Sequence, residues 1–225
     1  MEVQLADGRI IPVESHRIKI VQPTKFLPID ERLTAIRNAG FNTFLLQSHD
    51  IFLDMLTDSG TNAMSDTQQS AMLRSDDAYA GSESFIRLQE AVKDIFRMDY
   101  VIPAHQGRAC EHLLTKVFVK PGDVVITNYH FTTTKAHIVN NGGQVIELIY
   151  KEGRNTNSDN PFKGNMDLEA LERVIAEKGA DKISFVRMEA TTNLIGGQPF
   201  SMENLKAVSE IAHKNHLLLV IDCSL

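Results

Sequence analysis

The sequence predicts an α/β fold, a mostly parallel sheet with helices on both faces, preceded by a segment that does not share its rhythm. Two observations carry this expectation. From about residue 84 onward, helix-like and strand-like stretches alternate, the pattern of strand–helix–strand units that build parallel sheets. The strand-like stretches are also continuous aliphatic runs, as expected where both faces of a strand are covered.

The elements follow in order. Phe85, Leu88, Val92, Ile95 and Phe96 recur at helical spacing, and Tyr100-Val101-Ile102 reads as a short buried strand. A turn at His105-Gln106-Gly107 leads into a helix with Leu113, Leu114, Val117 and Phe118 apolar. Pro121-Gly122-Asp123 marks a turn before the strand Val124-Val125-Ile126. Thr132 to Val139 suits a helix ending at Gly142-Gly143, and Gln144 to Ile149 the next strand. Residues 151–165 read as a polar surface loop. Asp167 is placed to cap a helix through Leu168, Leu171 and Ile175 that Gly179 ends. The strand Ile183 to Val186, a helix with Leu205, Val208, Ile211 and Ala212 on one face, and the strand Leu217 to Ile221 complete the series. Before residue 84, Asp30 to Ala39 reads as a helix and Phe52 to Leu56 as a strand.

Composition narrows the function classes. A hydrophobic content of 43% with 13 glycines and seven prolines is that of a globular chain with a core. A formal charge of −6 argues against a nucleic-acid backbone as the main partner, though not against a small anion in a local positive pocket. Two cysteines cannot build a disulfide framework, and Met1 to Arg9 lacks the apolar core of a signal peptide. Leu217 to Ile221 is the longest aliphatic run, too short to span a bilayer. A reduced, cytoplasmic setting is the expectation. No metal-ligand spacing is visible among the eight histidines.

Ligands of parallel sheets sit beyond the carboxyl ends of the strands. His105-Gln106-Gly107-Arg108 opens a helix there. Free amides, a glycine and an arginine suit a phosphate, and an ordinary turn with a solvated arginine uses the same residues. Asp222 ends an aliphatic strand and can pair with a protonated pyridine nitrogen, a ribose or a metal-bound water, or end as a solvated carboxylate. Asn193, before Gly196-Gly197-Gln198-Pro199, donates to a ligand or shapes the turn. Tyr79, in an acidic loop, and Phe131 read first as packing residues.

Together these segments resemble the β-eliminating lyases, the family of tyrosine phenol-lyase and tryptophanase. The resemblance is carried by Leu56 to Asp66 (LTDSGTNAMSD), Asp77 to Ser82 (DAYAGS), Pro103 to Arg108, Phe162-Lys163-Gly164 and Gly196 to Pro199. It runs in unbroken order from about Arg17 to Asp222 and covers about the first half of a family member. It implies the fold type I, pyridoxal-phosphate-dependent transferase-like architecture. Residues 1–60 would then be an N-terminal arm and part of the small domain, and residues 61–225 an incomplete cofactor-binding large domain.

The resemblance also implies roles. Gln106, Gly107 and Arg108 match the phosphate cradle of pyridoxal phosphate, Phe131 the ring stacked on the pyridine, and Asn193 the donor to its phenolic oxygen. Asp222 matches the partner of the pyridine nitrogen. Tyr79 matches the general acid that protonates the leaving aromatic group, supplied across a subunit interface. Thr57, Ser59 and Thr132 match the substrate side, and Gly60 and Asp77 a monovalent cation (potassium) site. The implied reaction removes the α-proton of an aromatic amino acid and expels the protonated ring, leaving pyruvate and ammonia. Thr132 follows Phe131 as in the phenol-lyases, where tryptophanases carry aspartate, so tyrosine is the expected substrate and tryptophan the alternative. A homo-oligomer, a tetramer in the family, is implied as well.

Three departures accompany the match. The family's cofactor-tethering lysine lies well beyond the strand-end aspartate, where this sequence has only Cys223, Ser224 and Leu225. Leu225 stands where the family has an arginine, and Asp77 where it has a glutamate. The expectation is therefore a shortened chain inactive alone. Two rivals are a nucleotide-binding domain using Asp222 on a ribose and a non-catalytic chain that associates with a full-length subunit. The first lacks both a Gly-x-Gly-x-x-Gly turn and a Walker sequence.

Overall fold

A computed structural model describes residues 2–12, 23–57 and 63–224, in two units, Met1–Leu88 and Gln89–Leu225. The first unit opens on an antiparallel hairpin of β1 (Glu2–Gln4) and β2 (Ile10–Pro12). The expected helix at Asp30 is α1 (Ile29–Asn38), with Asp30 and Glu31 in its first turn and Arg37 in its last, each favourable to the helix dipole. The expected strand at Phe52–Leu56 does not form. Asp54 accepts from the Leu56 and Thr57 amides at 2.9 and 3.0 Å and from the Thr57 hydroxyl at 2.6 Å. A short aspartate that binds its own backbone folds the chain into a turn and competes with any ladder. Ser65 caps α2 (Asp66–Leu73), its hydroxyl accepting from the Gln68 amide at 3.0 Å. Leu27 and Ala39 are the buried apolar residues among those described in this unit. Local contacts hold it instead, such as the Phe26 and Phe52 rings edge-to-face at 4.9 Å.

The helix α3 (Glu83–Phe96) carries the expected apolar stripe, yet Phe85, Leu88, Ile95 and Phe96 are all exposed. The expected buried strand at Tyr100–Ile102 is absent, and Tyr100 and Ile102 are open to solvent. A strand needs a ladder partner for its amides, and among the described residues this segment has none. Then come α4 (Gly107–Phe118), β3 (Val124–Thr127), α5 (Thr132–Asn140), β4 (Gln144–Glu147), α6 (Leu168–Lys178), β5 (Ile183–Glu189), α7 (Met202–Lys214) and β6 (Leu219–Asp222). Asp167 caps α6 as expected, accepting from the Ala170 amide at 3.0 Å, and Gly179 ends it with φ 81°. Ser201 caps α7 in the same way.

The four later strands form one parallel sheet in the order β4-β3-β5-β6. Side-chain alternation divides its core in two. On one face Val124, Ile126, Val186 and Met188 pack with Leu171, Val174 and Ile175 of α6 and Val208 and Ala212 of α7. On the other, Val125 and Phe185 pack with Leu114 of α4, Val119 and Ile138 of α5. Helices therefore cover both faces, the expected α/β architecture. The central strand β3 is wholly buried, and the outer strands β4 and β6 are half-buried. Among the described residues no helix is long and apolar enough to cross a membrane.

Candidate active site

The strand ends bring polar residues to one corner. Phe185 faces α4 and α5, so the period of two puts Arg187 and Glu189 of β5 on that face as well. Thr127 of β3, Glu147 of β4 and Asp222 of β6 share it, two residues beyond Val125, Val145 and Val220. All of them lie toward the carboxyl ends of their strands.

Register alone would make this corner unstable, because Glu189 stands opposite Asp222 and like charges facing each other across strands repel. Arg187 resolves it. Its guanidinium, 2% exposed, donates to Glu189 Oε2 at 3.0 Å and to Asp222 Oδ2 at 2.6 Å. The same Nη1 lies 3.4 Å from the Tyr129 carbonyl oxygen and 3.5 Å from the Thr127 hydroxyl. Asp222 Oδ1 accepts from the Ser224 hydroxyl and amide at 2.7 and 3.1 Å. Partial burial by itself raises the Asp222 carboxyl; the hydrogen bond from Ser224 and the charge and hydrogen bond of Arg187 outweigh it and hold the group below its ordinary 3.8. Asp222 is thus a carboxylate at neutral pH.

Asn128, fully buried just past β3, pins the neighbouring chain. Its amide nitrogen donates to Gly164 O at 2.9 Å and Glu189 O at 3.2 Å, and its oxygen accepts from the Glu189 amide at 2.9 Å. The Gly164 amide donates to Pro199 O at 2.9 Å, so two of the sequence motifs, Phe162-Lys163-Gly164 and Gly196 to Pro199, meet here. Gly164 must be glycine, because a Cβ there would strike the Gln198 carbonyl.

The helix starts lie on the same rim. Phe131, directly before α5, is half-buried, and Thr132 opens that helix, exposed. The Thr134 hydroxyl in the first turn of α5 donates to Glu111 Oε1 of α4. Farther along, Val119 and Ile138 share one cluster. The two helices therefore run parallel, and the start of α4 stands beside the start of α5, at the carboxyl ends of the strands. That is also the rim of Asp222. Gln106 does not cap α4 with its side chain, and a Cβ on Gly107 would meet nothing within 4 Å. Arg108 is exposed and has no carboxylate partner among the described residues. This is an uncapped, positively charged helix start facing open space.

Asn193 follows β5 and donates its amide to Glu189 Oε1 at 3.1 Å. Between them Thr191 has φ 58°, a left-handed backbone uncommon for a β-branched residue and typical of functional turns. Buried Thr192 holds the turn, its amide and hydroxyl donating to Gln198 O at 2.9 and 2.8 Å.

The remaining expected residues belong to the N-terminal unit. Ser59 and Gly60 lie outside the described residues. Thr57 is exposed, its hydroxyl on Asp54. Tyr79 is fully exposed and Asp77 exposed. Their loop is tied by Asp76, which the sequence reading passed over. Asp76 accepts from the hydroxyls of Ser82 and Ser84 and from the amides of Glu83 and Ser84. The Ser84 bonds lead in holding its carboxyl far below the usual range. A depressed carboxyl contributes order that is complete above its ordinary 3.8 and is lost only as pH falls well below it. Asp76→Ala is expected to speed amide exchange at Glu83 and Ser84 about tenfold while amides of the parallel sheet keep their rates; equal rates in the two proteins would refute the tie.

The sequence reading also missed Arg187 and Glu189, whose signal was available as two charges at alternate positions in an otherwise apolar strand. Next to β4, His130 Nδ1 lies 2.7 Å from Glu147 Oε1 without the alignment of a hydrogen bond. Lys135 reaches the same oxygen at 3.2 Å.

Comparison with known proteins gives the family and the fold. The model of the family described as Beta-eliminating lyase matches residues 54–224. The chain is 44% identical over 211 residues to a tyrosine phenol-lyase of Symbiobacterium sp. (strain SC-1), covering 94% of this chain and 46% of that one. It is 45% identical over 213 residues to the tyrosine phenol-lyase of Clostridium tetani, with 95% and 46% covered. The chain thus spans about half the length of these curated relatives. Among solved structures, Bna3p, a putative kynurenine aminotransferase from Saccharomyces cerevisiae, superposes with a TM-score of 0.50 at 21% identity, over 64% of this chain and 34% of that one. The fold is that of the fold type I class. The chain belongs to the β-eliminating lyase family.

Proposed function

We propose that this chain forms the cofactor-binding half of a pyridoxal-phosphate-dependent lyase that cleaves tyrosine to phenol, pyruvate and ammonia. One observation carries the reading: an uncapped helix start bearing Arg108 and the ionised carboxylate of Asp222 share one rim of one parallel sheet. The named activity of the relatives supports the substrate.

The residues present fit the cofactor. Its phosphate suits the amides of Gly107 and Arg108 with the Arg108 guanidinium, where no side chain competes. Asp222 retains acceptor capacity on both oxygens beside its bonds to Arg187 and Ser224. When bound, pyridoxal phosphate supplies an electron-withdrawing ring that stabilises negative charge at the substrate Cα. Asp222 then keeps the ring nitrogen protonated by offering it a carboxylate. Gln106 helps hold the phosphate, Phe131 packs on the ring face, and the Asn193 side chain donates to the ring's phenolic oxygen. Tyr79 holds a proton on its phenol oxygen for the departing aromatic carbon. Thr57, Ser59 and Thr132 bind the amino acid, the neutral Thr132 hydroxyl suiting a phenol. Gly60 and Asp77 contribute to a potassium site.

The same reading has the protein working in the cytoplasm as a homo-oligomer, with exposed Tyr79 serving a neighbouring subunit, or joined to a separate polypeptide that carries the other half. The exposed apolar stripe of α3 supports such association.

Titration with pyridoxal phosphate, followed by absorbance, tests the cofactor; saturable binding weakened about tenfold by Arg108→Ala is expected, and absence of saturation refutes it. Product analysis of the native assembly tests the substrate. Phenol from tyrosine supports the reading, indole from tryptophan replaces it with the tryptophanase reading, and no pyruvate from either favours a non-catalytic chain.

A further inference from the structure

Three residues expected to touch the ring, Asp222, Asn193 and Phe131, come from different segments, and one buried guanidinium touches the first and is linked to the other two through Glu189 and Tyr129. Arg187 binds Asp222 directly at 2.6 Å. It holds Glu189 at 3.0 Å, whose other carboxylate oxygen accepts the Asn193 amide at 3.1 Å. It lies 3.4 Å from the carbonyl oxygen of Tyr129, two residues before Phe131. We propose that Arg187, held between Glu189 and Asp222, is the positioning residue of this rim and sets the Asp222 carboxylate, the Asn193 turn and the Phe131 turn in register for one ring.

The chemistry requires arginine. Its planar fork can bind two carboxylates and a carbonyl at once, whereas a lysine ammonium acts as a point charge. The charges also balance: one guanidinium between two carboxylates leaves the corner with a single net negative charge, the complement of a protonated pyridine. Without Arg187 two carboxylates would face each other at Glu189 and Asp222, and protons would be taken up to relieve them. Among the described residues, the charged groups facing Asp222 are Arg187 and, through it, Glu189; the neighbouring Cys223 is a thiol whose ionisation is pushed up by its own burial and then by Asp222.

This rests on the cofactor reading above, and the test separates the two. The 225-residue chain is labelled with carbon-13 at aspartate carboxyls and nitrogen-15 at its amides, and Asp222→Asn assigns the carboxyl resonance. Arg187→Met is expected to raise the Asp222 titration midpoint by about one unit, tenfold in proton affinity, and to shift the Asn193 and Phe131 amide signals together. Glu189→Gln, of the same shape, is expected to lower the midpoint, because the guanidinium then serves Asp222 alone. Opposite directions are not produced by loss of packing. If Arg187→Met does not fold, Arg187→Lys and Glu189→Gln carry the test, Lys keeping the Asp222 midpoint low while the Asn193 and Phe131 signals move. An Asp222 midpoint within about 0.3 unit of the parent in all variants overturns the proposal. So does pyridoxal phosphate binding to Arg187→Met as tightly as to the parent. A parent that binds no pyridoxal phosphate while the coupled shifts persist defeats the cofactor reading and leaves the positioning role standing.

Discussion

Phe185→Ala is expected to destabilise the parallel sheet by about 3–5 kcal/mol, a large share of what a domain of this size holds in reserve. Phe185 has no exposed surface, and among the described residues it is the largest fully buried side chain. Among the described residues it is the one aromatic ring in the buried cluster of the α4/α5 face, packed with Val119, Val125 and Ile138 and edged by Leu114, Val145 and Val220. These neighbours come from three strands, two helices and the connection after α4, so no single movement can close the space the ring leaves. The lost transfer energy and the unfilled cavity therefore add. Urea unfolding checks this through the transition midpoint at unchanged slope. Phe185→Leu, which fills most of the volume, should cost less than about 1.5 kcal/mol. If alanine costs less than about 1 kcal/mol, α4 and α5 do not enclose the sheet as described, and the shared rim of Arg108 and Asp222 falls with them.

The second large effect is expected at Asn128. Asn128→Ala removes its three bonds to Gly164 and Glu189 and strands the Gly164 carbonyl and both backbone groups of Glu189. Each buried group left without a partner costs about 1–3 kcal/mol. The effect is local as well as global, because Glu189 is the link from Arg187 to Asn193. Faster amide exchange at Glu189 and Asn193 should therefore accompany the loss of stability, and pyridoxal phosphate binding should weaken with it. Asn128→Asp keeps an acceptor for the Glu189 amide but loses both donations and brings a negative charge toward a corner that already has an excess of one. It is expected to be no better than alanine. A variant as stable as the parent, with unchanged exchange at Asn193, would mean that Gly164 and Glu189 find other partners and that the site does not depend on this pin.

Much of the fold was legible because it is written in local periods. The strands from Val124 onward, the helices between them and the Asp167 cap each follow from neighbours within a few residues. Two expectations failed for opposite reasons. Phe52–Leu56 has the composition of a strand, but Asp54 supplies closer partners for the amides of Leu56 and Thr57. Tyr100–Ile102 has nothing local against it and lacks only a neighbouring strand. The helical stripe of α3 was read correctly while its burial was not, since periodicity says which residues share a face and nothing about what covers it.

The site divides in the same way. The sequence by itself determined that Arg108 opens a helix, that Asp222 ends a strand and that Phe131 and Asn193 follow strands, because each depends on where an element stops. The tertiary structure alone decided that the helix start of Arg108 shares a rim with the others, and that Arg187 links the ends carrying Asp222, Asn193 and Phe131. The sheet order places β5 between β3 and β6, out of chain order, and thereby sets Arg187 against Asp222 and near Tyr129. Those contacts span 35 and 58 residues of chain. A charge in a buried strand finds its partner through the strands beside it, and no local period encodes which strands those are.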